Sequence, residues 1–127
     1  MSDVKSPEMR EELVGHLREL SDIDYQRRVW VNGISEGSIQ HDEFDYAVHF
    51  LFDDTHLAGD PISTVGWILR SPDEADLIKA LGEAIEAIFK KYGARLSDAQ
   101  YISLAEWEMV IDCAKKALLV IAGDRRS

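Results

Sequence analysis

From Ser71 to Gly93 the chain spells out one helix from start to stop, and no other segment restricts the fold as strongly. Ser71-Pro72 opens it, because proline suits the first helical position, where its missing N–H costs nothing, and the preceding serine can accept a bond from an orphan amide. Leu77, Ile78, Leu81, Ile85, Ile88, Phe89 and Tyr92 then recur at helical spacing, with the pairs Lys79/Glu83 and Glu86/Lys90 four residues apart on the other side. Gly93 closes the pattern as a left-handed residue beyond the last turn would.

The same grammar recurs along the chain. Ser6-Pro7 and Asp60-Pro61 mark two more helix starts. Ser71 with Glu74 and Ser97 with Gln100 fit the capping box, and Ser21 with Asp24 gives a weaker version. Met9, Leu13, Leu17 and Leu20 form one helical stripe, and Trp107, Ile111, Ala114, Leu118 and Ile121 another that ends at Gly123. The last turns of that helix, ALLVIA, are apolar all round, which calls for burial on every side or cover from a second copy of the chain. Residues 22–31 predict a short helix ending at Asn32-Gly33. Residues 44–52, FDYAVHFLF, alternate as a strand would, but a strand here has no partner and a poor polar face, so helix is preferred. Trp30, Trp67 and Trp107 all read as packing residues at helical core spacing.

At 127 residues the chain is the length of one domain, and 46% apolar with 30% charged residues is a globular composition. The expected architecture is all-α: a compact single-domain bundle of five to seven helices over residues 1–127. A disordered N-terminus is expected at 1–5, a mobile loop at 33–41 where glycine and serine cluster, and a disordered C-terminus at 124–127. One cysteine, Cys113, forms no internal disulfide, and the beginning MSDVKSPEMREE has no basic stretch followed by an apolar run, so no signal peptide is expected. ALLVIAG at 117–123 is far short of the roughly 20 residues that span a bilayer. A cytoplasmic location follows as the expectation.

Charge supplies the functional argument. The formal net charge is −10, which excludes nucleic acid and anionic membranes as natural partners, since both need a positive surface. No lysine or arginine occurs between Arg28 and Arg70, yet seven acidic residues fall in those 41 positions; the rest of the chain has 17 acidic residues against 14 basic. On a helix, Asp42, Asp45, Tyr46, His49 and Asp53 share one outward stripe. Acid beside an aromatic ring suits docking of a basic protein, through steering and an anchor, although an acidic helix face is often merely solvated.

Other chemistry is thinly represented. His49, Asp53, Asp54 and His56 lie close together, and His49 with Asp53 could face one metal ion, but a full ligand set at a recognised spacing is missing. His16 reads as a core-edge histidine, His41 falls in the loop, and Cys113 reads as an inert thiol. Arg27 and Arg28 beside Tyr25 and Trp30 could hold an anion, though such arginines more often bridge to neighbouring carboxylates. The nucleophile elbow and phosphate-loop motifs are absent from the sequence. No catalytic residue, cofactor or metal is therefore expected.

Over roughly half the chain, the phrases YQRRVWVNG at 25–33, FDYAVHFLFDDT at 44–55 and DPISTVGWILRSPDEADLIKALGEAI at 60–85 resemble a family of small, mostly uncharacterised bacterial proteins. That family is in turn similar to immunity proteins of contact-dependent growth inhibition. The resemblance implies a helical protein that neutralises a cognate toxin, often a nuclease, by covering its active site; it implies no individual contact residue. The leading expectation is thus a non-catalytic binding module for a basic partner such as a toxin. A homo-oligomeric structural or adaptor protein, joined as a homodimer through the apolar C-terminal helix, is the alternative, and a metal-dependent enzyme using His49, Asp53 and His56 is the third.

Overall fold

The structure is a computed structural model that describes residues 4–31, 43–55, 57, 59–93 and 95–123; the side chains of residues 29–31, 43, 45 and 54 also lie outside the description. The loop expected at 33–41 and the tail expected at 124–127 fall outside the described residues. The fold is an all-α bundle, and among the described residues it has six α-helices and no strand: α1 Pro7–Leu20, α2 Ile23–Tyr25, α3 Glu43–Val48, α4 Pro72–Tyr92, α5 Asp98–Ile102 and α6 Trp107–Gly123. α2 runs into a π-helical segment, Gln26–Val31, and α3 into another, His49–Asp54. The segment read as helix over 44–52 is therefore helical throughout, with its second half wider than an α-helix.

α6 packs along both α1 and α4, and their facing stripes make the core. α4 contributes Ala75, Ile78, Leu81, Gly82, Ile85 and Ile88; α6 contributes Trp107, Val110, Ala114, Ala117 and Ile121. The buried face of α1 is rotated by one residue from the expected stripe: Arg10, Leu13, Val14, Leu17 and Leu20 point inward, while Met9 is only partly buried. Each fully buried leucine or isoleucine contributes about 1.5–3 kcal/mol relative to exposure, so these three stripes supply most of the folding drive.

Local chemistry explains the element ends. Ser71 accepts from the Glu74 N–H, and Ser97 and Gln100 form the complete capping box. At α2 the cap is Asp22, whose carboxylate accepts from the Tyr25 N–H; Ser21 instead donates to the Arg18 carbonyl. Gly93 has φ of 90° but ψ of 173°, an extended glycine conformation rather than the left-handed helical one expected. Tyr101 fastens this corner by donating its hydroxyl hydrogen to the Gly93 carbonyl at 2.8 Å.

Three further expectations fail for identifiable reasons. Asp60-Pro61 starts only one 3₁₀ turn, Pro61–Thr64, because the Thr64 hydroxyl takes the Pro61 carbonyl at 2.7 Å and Gly66, at φ 93°, then reverses the chain. Trp67 lies in that reversal and on no helix; its indole N–H donates to the Ser6 hydroxyl at 3.1 Å, which occupies the side chain expected to cap α1. Val4 and Lys5 are not a free tail. Val4 is buried, and the N–H groups of Lys5 and Ser6 donate to the carbonyls of Gly66 and Trp67 at 3.0 and 2.9 Å.

The end of α6 is not enclosed on every side within one chain. Ala117 and Ile121 are buried, but Leu119 is 75% exposed and Val120 40% exposed.

Candidate functional site

The acidic segment is held by its inward residues. Phe44, Ala47, Phe50 and Leu51 are buried, and Phe44 sits at the centre of an aromatic cluster, 4.9 Å from Trp107, 5.2 Å from Tyr101 and 5.8 Å from Phe89 between ring centroids. Phe50 packs on His16 of α1 at 4.8 Å. Beyond the π-helical half, the buried Thr55 hydroxyl donates to the Phe50 carbonyl at 2.6 Å and accepts the Leu57 N–H at 3.1 Å, which ends the helix without exposing those groups. Sequence patterning thus buries one side of residues 43–54 and leaves the other outward.

Three of the five predicted stripe residues are described on that outward side. Tyr46 is 52% exposed, and the side chains of His49 and Asp53 are 56% and 62% exposed. His49 Nδ1 lies 2.7 Å from Asp53 Oδ2; because an ionised carboxylate only accepts, the ring nitrogen is the donor. The Asp45 backbone is in α3 with its side chain outside the description, and Asp42 lies outside the described residues altogether. The described part of the face is thus an exposed aromatic ring together with a histidine–carboxylate pair.

The metal reading draws on His49 and Asp53 of this same face, whereas Cys113 and Arg28 belong to other elements. Among the described residues no group of three or more His, Cys, Asp or Glu side chains is placed to hold a metal ion; His56 and His41 lie outside them. Cys113 is partly buried, and burial pushes its thiol up, with Lys116 nearby pulling the other way, so little thiolate is present at neutral pH. The Arg28 guanidinium lies 6.0 Å from the centre of the Tyr25 ring, at the outer limit of a cation–π contact. Open depressions among the described residues include one of about 460 Å³ bounded by Arg18, Asp22, Asp24 and Lys115, and one of about 260 Å³ bounded by Asp60, Ile62, Asp76 and Lys79. Both mix acid with base, and neither includes a residue of 43–54.

One polar centre was missed in the sequence. Arg10 is 5% exposed, and its guanidinium forms a bidentate pair with Glu74 at 2.9 and 2.8 Å while donating to the carbonyls of Ile68 at 2.9 Å and Ile121 at 3.2 Å. Glu74 also accepts the Arg70 N–H at 2.7 Å. Its carboxylate therefore faces Arg10 and Arg70 rather than reaching back to the serine cap, as the capping-box reading implied. The available signal was that Arg10 and Glu74 each stand at the head of a buried stripe, 10-13-14-17-20 and 74-75-78-81-85.

No described helix is long and apolar enough to cross a membrane. Residues 4–126 match a family of proteins described as a domain of unknown function, DUF7945, and the chain belongs to that family. Comparison with curated proteins and with solved structures returned no match.

Proposed function

We propose that the chain is a non-catalytic binding module that docks a basic protein on the outward face of residues 43–54, as an immunity-type inhibitor docks a basic toxin such as a nuclease. The observation that carries this reading is the coincidence of charge and exposure: the 41 positions without lysine or arginine contain a helix whose inner side is locked by Phe44 and Phe50 while Tyr46, His49 and Asp53 remain open. A nuclease needs a basic cleft for phosphate, and an acidic face with an aromatic anchor complements one.

The test is co-expression with the toxin-like domain of an adjacent reading frame, followed by titration of the purified pair. Growth should be restored, affinity should fall as salt rises, and Asp45→Lys with Asp53→Lys should weaken binding at least about tenfold. A complex indifferent to salt and to both substitutions overturns the acidic-face reading. A second reading, self-association, is favoured by a separate observation on α6.

A further inference from the structure

The exposed side of α6 has a property that its apolar content alone does not reveal. Met109, Asp112, Lys116 and Leu119 are all exposed, Met109 by 60%, and they stand opposite the buried Val110, Ala114, Ala117 and Ile121. Their spacing, three, four and three residues, is that of one helix seam in a two-helix contact, and it reads the same in both directions. Laid antiparallel on itself about residue 114, the stripe sets Met109 against Leu119 of the other copy and Asp112 against Lys116 of the other copy, each pair occurring twice. Apolar meets apolar and acid meets base. A two-fold contact must be self-complementary in this way, since every residue on one side meets its counterpart's surroundings on the other.

We propose that α6 is a homodimerisation surface, and that the occupant of this face is a second copy of the chain in antiparallel register. Val120, 40% exposed, widens the apolar end beside Leu119. The contact involves one helix from each copy and is therefore a small interface, of the kind below roughly 1,200 Å² that supports reversible association rather than a permanent dimer. The arrangement leaves residues 43–54 unused, so it stands or falls independently of the docking of a basic protein.

The experiment is sedimentation equilibrium of the purified full chain from micromolar to millimolar concentration, with two single variants. The wild type should show a monomer–dimer equilibrium in the high-micromolar range. Asp112→Lys places lysine against lysine across the contact and Lys116→Asp places acid against acid, so each variant alone should dimerise at least about tenfold more weakly. An equimolar mixture of the two variants restores opposite charges at both pairs and should form a heterodimer at least as tight as the wild-type dimer. Recovery in the mixture also shows that both variants are folded. A wild type that stays monomeric throughout the range overturns the proposal, as does dimerisation unaffected by either variant, or loss in both variants without recovery in the mixture.

Discussion

At the scale of single residues, one buried and one partly buried polar group set conditions that the apolar core alone would not. Arg10 is sequestered with its charge matched by Glu74, and its two terminal nitrogens also donate to the carbonyls of Ile68 and Ile121. Removing one partner strands the other, so Arg10→Met should cost about 3–5 kcal/mol, whereas Arg10→Met combined with Glu74→Leu should cost less than the single change. Urea denaturation of the three proteins checks this, and a single variant within 1 kcal/mol of wild type would contradict it. His16 makes the opposite kind of demand. Burial against Phe50 holds its imidazole below the ordinary value of 6.5, with Glu12 pulling back only in part. The unfolded chain therefore binds a proton more readily than the folded one, and this contribution to stability is complete above pH 6.5 and lost as the pH falls toward the folded value. Stability measured from about pH 7 to 5 should decline more steeply for the wild type than for His16→Gln.

At the scale of elements, two glycines should respond to alanine with opposite signs. Gly93 ends α4 at φ 90°, ψ 173°, where only glycine rests without strain, so Gly93→Ala should lower stability by about 1–3 kcal/mol although the site has room for the methyl group. Gly15 lies inside α1, also with room for a Cβ, so Gly15→Ala should raise stability by about 0.5–1 kcal/mol. Thermal unfolding of both variants tests the pair. The elements most legible in the sequence were those written locally. Ser71-Pro72, the Ser97/Gln100 box and the helical period of α4 and α6 are carried within a few positions, although in α6 Val110 and Ala117 are buried where Ile111 and Leu118 were expected and are only partly so. What escaped was written between distant segments. Trp67 looked like a helical core residue because its role depends on Ser6, and the burial of Arg10 escaped because its partners come from residues 68, 74 and 121. The outward face of 43–54 lay between these cases: its helical period was visible, but the π-helical form of its second half, which ends where the Thr55 hydroxyl donates to the Phe50 carbonyl, was not.

At the scale of the whole molecule, charge and packing respond differently to salt. A net charge of −10 repels itself, and added salt relieves that repulsion while scarcely reaching a buried ion pair. Raising sodium chloride from about 0.02 to 0.3 M should therefore increase the thermal midpoint of the free chain while it weakens a complex made through the acidic face. Scanning fluorimetry of the free chain and titration of the complex in the same buffers should give these opposite signs. A midpoint that falls with salt would mean that local pairs such as Lys91 with Glu106, 2.7 Å apart at the surface, outweigh the global repulsion.

The guanidinium of Arg10 also bears on the order in which the fold can be completed. Its most distant acceptor, the carbonyl of Ile121, is 111 positions away in the chain. During synthesis α1 emerges before α4 and meets Glu74 once α4 is out, but a donor bound for α6 stays open to water until residue 121 has left the ribosome. A chain that lacks α6 leaves this donor without its Ile121 acceptor and α1 and α4 without the helix that packs along both, so arrest of translation before α6 should leave a species that proteases digest readily.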